Sequence, residues 1–279
     1  MYLGYNTNGL AHHSLPAAIE LLAEIGYRSV AITLDHAALN PYDPHFESEL
    51  REISDLLVEH NLRSTIETGA RFLLDPRHKH QPTLLCSKGE GRPLRVEFLR
   101  HAVDIAAALR SDCVSLWSGV LPVGDTAADG MAHLAESLHP VLDYAGRHGV
   151  RLGFEPEPDM LIDRMDRYAE LLTLIDSPFM KLTLDVGHVH CLEENSIPDV
   201  IAEWHERIVN IHIEDMHRGV HEHLMFGEGE IDFPSVVAAL KEVEYDGPLH
   251  VELSRHSHLG PTAARQAYDF LNPLIDNHA

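Results

Sequence analysis

Residues 209–233 read VNIHIEDMHRGVHEHLMFGEGEIDF. Val209, Ile211 and Ile213 alternate with Asn210, His212 and Glu214, the period of a strand. His217, His221, His223, several acids and then glycines follow. The segment runs on into IDFP at 231–234, where Asp232 is placed to cap a helix and Pro234 to sit in its first turn. A strand whose end gathers so many imidazoles and carboxylates is either a wet surface loop or part of a metal site. The rest of the chain has to decide which.

Working outward, the same unit recurs. Short apolar runs rich in β-branched residues occur at 2–5, 29–34, 63–67, 113–117, 151–155, 181–185, 209–213 and 249–253. They suit parallel strands covered by helices. Amphipathic segments separate them. In the first, Leu15, Ile19, Leu22 and Ile25 recur at helical spacing behind a Ser14 cap, and Gly26 ends the run. The others fall at about 45–61, 93–110, 127–148, 164–176, 197–206, 233–244 and 261–275. Eight strand–helix units in 279 residues predict an α/β fold, a single (β/α)8 TIM barrel domain over 1–279. A doubly wound sheet is the alternative. It is weakened because GYNTNGL, after the first strand, lacks the GxGxxG of a dinucleotide-binding turn. The long irregular segment 68–92 follows the third strand, which puts it over the C-terminal mouth as a lid or binding loop.

The bulk numbers exclude several classes. Hydrophobic residues make up 44% of the chain, enough for a sizeable core, and no apolar run approaches the ~20 residues of a membrane span. The N-terminal MYLGYNTNGL has no signal-peptide pattern. Cys86, Cys113 and Cys191 form neither a disulfide framework nor a CxxC knuckle. A cytoplasmic protein without a membrane partner is expected. A net charge of −23 weighs against nucleic acid.

The C-terminal ends of barrel strands converge on one mouth. Strand three ends in Glu67, strand five in Glu155 ahead of Pro156 and Glu157, and strand six in Asp185 with His188 three residues on. Strand seven carries His212 and Glu214, and strand eight Glu252 and then Arg255. Buried carboxylates need cations or protons. Glu155, Asp185, His212 and Glu252 would form a cage of three carboxylates and one imidazole. That donor set suits one divalent ion, Mn²⁺ foremost, with Mg²⁺, Co²⁺ or Zn²⁺ as options. The blander reading gives Asp185 to a helix cap and pairs Glu252 with Arg255. Asn6 and Trp117 also sit at strand ends, where Trp117 can stack on a sugar face or simply pack. Arg71, Arg77, Lys79, Lys88 and Arg92 give the 68–92 segment basic groups for a phosphate or carboxylate, or a solvated surface.

FEPEP at 154–158, LDVGH at 184–188, NIHIEDM at 210–216, FGEGEIDF at 226–233 and VEL at 251–253 resemble the sugar phosphate isomerase/epimerase superfamily. These are xylose isomerase-like barrels that include tagatose 3-epimerase-like and inosose-processing enzymes. The resemblance covers nearly the whole chain. It implies that Glu155, Asp185, His212 and Glu252 hold the catalytic metal, that Glu155 and Glu252 also move protons, and that His188 touches substrate oxygens. Glu157 competes with Glu155 for the ligand position. Arg218 lies near the spacing of the family's arginine, in a different loop. HEH at 221–223 is similar to the DxH of endonuclease IV, a three-zinc relative, but Glu67 and Trp117 stand where that nuclease has histidines. A second metal at Glu67, His221 or His223 is one reading of this region. Another has His217, His221 and His223 binding substrate hydroxyls or ordering the loop. The expected activity is a divalent-metal-dependent epimerase or isomerase of a sugar, cyclitol or polyol acting through an enediolate, in a chain that can pair as a homodimer. The alternatives on the same barrel are a lyase or dehydratase and an endonuclease IV-like hydrolase.

Overall fold

The computed structural model describes residues 1–87, 89 and 91–276. Eight parallel strands close into a barrel. They are β1 (Tyr2–Asn6), β2 (Ser29–Thr33), β3 (Arg63–Glu67), β4 (Val114–Leu116), β5 (Leu152–Phe154), β6 (Met180–Asp185), β7 (Ile208–Ile213) and, after a hairpin, β10 (Pro248–Val251). β1 pairs with β10 and β2, so the first and last barrel strands close the ring. The predicted (β/α)8 barrel is therefore present, with strand ends shifted by a residue or two.

Outside the ring lie α1 (Leu15–Ile25), α2 (Phe46–Glu59), α3 (Arg92–Leu109), α4 (Ala127–His148), α5 (Met165–Leu174), α6 (Val186–Leu192), α7 (Ile197–Trp204), α8 (Phe233–Glu242) and α9 (Gly260–Asp276). Local chemistry sets their limits. Ser14 caps α1 through the Ala17 N–H, and Gly26 ends it in the left-handed region. Thr126 and Asp129 form a reciprocal capping box on α4. Asp232 caps α8 through the Ser235 N–H. The inner faces of these helices join the barrel's Val, Ile and Leu side chains in one apolar core.

Two elements depart from the sequence expectation. The segment after β7, read as a loop, is an antiparallel hairpin of β8 (Asp215–His217) and β9 (Val220–Leu224), turning at Gly219. Its strands are short and polar, so they carry no apolar alternation to be read. The short helix α6 follows β6 directly. Asp185 caps it, as the blander reading had it, accepting the His188 N–H at 2.7 Å while also ending the strand. The seven-residue helix itself is too short for its periodicity to be read.

Asp215 explains the GEG segment beyond the hairpin. Its carboxylate accepts the N–H groups of Met216, Gly227, Gly229 and Ile231 at 2.9–3.2 Å. A side chain at Gly229 would put its Cβ 2.3 Å from Asp215 Oδ1. Glycine is needed there so that the backbone can close on the carboxylate. The hairpin thus carries His221 and His223 on a firm base.

Candidate metal and substrate site

β5, β6, β7 and β10 are neighbours in the barrel and deliver the four expected ligands to one place. One ligand atom from each of Glu155, Asp185, His212 and Glu252 lies within 4.8 Å of the others. Register does this work: Asp185 pairs with His212 across β6 and β7. His212 Nδ1 lies 2.8 Å from Glu155 Oε1, 3.0 Å from Glu252 Oε2 and 4.0 Å from Asp185 Oδ2. Glu252 Oε1 accepts the Asn8 amide at 2.7 Å rather than pairing with Arg255, which binds Glu222 at 2.8 Å.

The electrostatics ask for a cation. Asp185 is 2% exposed, and its Oδ2 has no hydrogen-bond partner. Burial pushes the Glu155 carboxyl up to about 8, against the pull of His212. Burial also pushes Glu252 up, but His212, His223 and the Asn8 amide outweigh it and hold that carboxyl below its usual range. Burial opposes the charge on His212, yet Glu155, Glu67 and Glu252 raise it well above a free imidazole. Glu157 and Glu214 are pushed up by burial first, then by the neighbouring carboxylates. Without an ion, one imidazole and bound protons have to neutralise these buried acids. A divalent ion among Glu155, Asp185, His212 and Glu252 would take over that task, and their oxygen-rich donor set fits one.

A cavity of about 620 Å³ opens above these ligands. Among the residues lining it are Asn6, Glu67, Trp117, Glu157, His188, His221 and His223. Nitrogens of His188, His221 and His223 converge within 4.8 Å as a second cluster. His188 and His223 each donate Nδ1–H to a carbonyl, of Pro156 at 3.1 Å and Glu252 at 3.2 Å, which leaves the lone pair of each ring on Nε2; that of His188 meets His221 Nε2 at 3.1 Å. Burial lowers His188 to about 4, which keeps that ring neutral and able to accept. A smaller cavity of about 260 Å³ at the opposite barrel end holds Arg63 and Asp112, already paired with each other.

His217 and Arg218 correct the sequence reading. Neither lines the mouth cavity. His217 is exposed and sits 3.7 Å from Glu230, while Arg218 donates to the carbonyls of His190 and Glu193. The hairpin explains this: its turn carries both away from the barrel axis. The 68–92 segment does reach the mouth, through Thr68, Gly69, Arg71, Lys79 and His80. Arg77 is exposed, Arg92 turns to the Cys86 carbonyl and Glu136, and Lys88 lies outside the described residues.

Several residues escaped the sequence reading. Arg95, 3% exposed, donates to the carbonyls of Pro82, Thr68 and His80 at 2.7–2.8 Å and lies over the Trp117 ring. It fastens the 68–92 segment to α3. Asn8 follows β1 in a 3-10 turn, where no periodicity marks it. Glu214, placed on strand seven from the sequence but given no role there, is fully buried. No N–H or hydroxyl among the described residues reaches its carboxyl oxygens, and it faces the Asp185 carboxyl, a pairing that needs a proton. Its place just after β7 was visible in the alternation, but not its depth.

The family model for xylose isomerase-like TIM barrels matches residues 19–274, and the chain belongs to that family. An L-ribulose 3-epimerase of Methylomonas sp. (strain DH-1) is 28% identical over 242 residues, covering 84% of this chain and 77% of the relative. A D-allulose 3-epimerase from Methylomonas sp., solved with D-allulose, shares the fold at a TM-score of 0.76 and 23% identity, over 98% of this chain and 96% of that one. The IOLI protein, solved with a bound zinc atom, superposes at a TM-score of 0.81 and 18% identity, over 100% of this chain and 99% of that one.

Proposed function

We propose that this chain is a sugar epimerase or isomerase, a single barrel domain dependent on one divalent ion, Mn²⁺ foremost. The observation that carries this is the convergence of Glu155, Asp185, His212 and Glu252, with the buried Asp185 Oδ2 left unpartnered. The ketose 3-epimerases named above support the reaction class. A ion held by these four residues would polarise a substrate carbonyl and stabilise an enediolate.

The chain's own groups supply the rest. Glu155 and Glu252 both reach His212 Nδ1, at 2.8 and 3.0 Å, and their environments push them in opposite directions. Such a pair is suited to taking a proton from carbon on one face and returning one on the other. The imidazoles of His188, His221 and His223 meet substrate hydroxyls, His223 through its Nε2 lone pair and the hydrogen-bonded His188–His221 pair by giving up its mutual contact. Asn6 and Trp117 line the same cavity, Trp117 offering an apolar wall to a sugar's C–H face.

The test is proton exchange. Mn²⁺-loaded protein is incubated with L-ribulose, D-allulose and related ketoses in D₂O and followed by NMR. Deuterium at the carbon beside the carbonyl, with an epimer formed, is the expected result, lost in Glu155→Gln and Glu252→Gln. Exchange followed by loss of water would make the enzyme a dehydratase. Metal-dependent cleavage of DNA without exchange into any sugar would overturn the proposal in favour of a hydrolase.

A further inference from the structure

We propose that Glu67 is a positioning residue that makes His212 meet the cation through Nδ1. This rests on the reading of His212 as a ligand. It gives Glu67 a task other than contact with substrate or with a second ion.

The argument starts deep in the barrel, where interiors are usually filled by branched apolar side chains. Here a polar column replaces them: Ser29, His250, Asn210 and Thr183 are each 0% exposed and His212 is 1% exposed. Ser29 Oγ and His250 Nε2 are 2.8 Å apart, and His250 Nδ1 is 2.7 Å from Asn210 Oδ1. An amide oxygen only accepts, so His250 carries its proton on Nδ1 and takes the Ser29 hydroxyl at Nε2. That contact fixes the Asn210 amide with Nδ2 turned toward Glu67 Oε1 at 3.4 Å and Thr183 Oγ1 at 3.5 Å.

Glu67 Oε1 is also 3.0 Å from His212 Nε2. Asn210 Nδ2 lies 3.2 Å from the same nitrogen. Nε2 could accept from the Asn210 amide, but its nearer partner is the Glu67 oxygen, which only accepts when ionised. With a proton on Nε2 both nitrogens donate to that oxygen, and the Asn210 amide also has Thr183 Oγ1. His212 Nε2 therefore holds a proton, and in the neutral ring the lone pair falls on Nδ1. Nδ1 is the atom that faces Glu155, Glu252 and Asp185. Outer partners of this kind fix the tautomer and orientation of a ligand imidazole. Glu67 reaches this nitrogen from the end of β3, across the barrel from β7.

Mn²⁺ affinity of ion-free protein, read by calorimetry without substrate, tests this. Glu67→Ala leaves Nε2–H buried without an acceptor and should weaken Mn²⁺ binding about 10–100-fold. Glu67→Gln keeps a carbonyl oxygen at the same reach and should restore most of the affinity. A purely structural role would lower the melting temperature of Glu67→Ala without moving the affinity of the folded fraction. Zn²⁺-loaded wild type labelled with ¹⁵N-histidine gives an answer that needs no variant: His212 should show a protonated Nε2 and a metal-bound Nδ1. Metal on Nε2 would overturn the assignment, as would an Ala variant that binds Mn²⁺ like wild type. Wild type that binds no divalent ion would instead sink the proposed function and this assignment together.

Discussion

Asp185→Asn separates what the site needs for function from what the fold needs for stability. Oδ1 accepts the His188 N–H as the cap of α6, and asparagine caps a helix about as well as aspartate. Oδ2 is buried and unpartnered, 3.6 Å from His188 Nε2 and 4.0 Å from His212 Nδ1. A unit charge pair at that separation is worth about 4 kcal/mol at an effective dielectric of 20. His212 has two nearer carboxylates, at 2.8 and 3.0 Å, so most of that attraction is redundant in the ion-free protein. Against it stands an uncompensated buried acceptor, which costs about 1–3 kcal/mol. The new amide can also donate toward Glu214, whose oxygens lack partners. The ion-free variant should therefore be as stable as wild type or up to about 1 kcal/mol more so, a melting shift of about 0 to +4 °C. Mn²⁺ affinity should fall at least a hundredfold, about 3 kcal/mol, because a charged ligand is lost. Melting in chelator and Mn²⁺ titration measure the two effects. A variant that binds Mn²⁺ within threefold of wild type, or melts far below it without metal, would refute the reasoning.

Dialysed protein should hold one divalent ion per chain at this site, lost on His212→Ala, and chelation should abolish activity until Mn²⁺ is restored; mass spectrometry and activity recovery check this. Ion binding at pH 7 should release protons, because His212 and Glu155 are both held above their ordinary ranges and must lose protons to ligate. Calorimetry in buffers of differing ionisation enthalpy counts them, and affinity should rise with pH. The same raised Glu155 carboxyl favours the folded ion-free state below its unfolded value of 4.5, a contribution lost as pH climbs through about 8. His217→Ala and Arg218→Ala should leave kcat and KM within about twofold, since neither side chain reaches the mouth. Arg95→Met should cost about 3 kcal/mol, from three buried carbonyls left without a donor, and should raise KM through the loosened 68–92 segment; denaturant melts and kinetics report each part.

The sequence by itself determined the repeating strand–helix unit, and with it the barrel. Apolar runs of β-branched residues, caps such as Ser14 and Asp232, and Gly26 at a helix end are local signals. Strand ends followed from the same signals, so the order Glu155, Asp185, His212, Glu252 was legible before any coordinates. What lies around those residues was not. Tertiary structure alone turned the segment after β7 into a hairpin, sending His221 and His223 inward while His217 and Arg218 point away. It alone brought Asn8 to Glu252, Arg95 under the 68–92 segment, and Glu67 across the barrel to His212. These contacts join residues 27 to 244 positions apart, closed only when eight strands meet in register. A periodic pattern reports which face a residue takes on its own element; which distant group it meets there is set by how the elements pack.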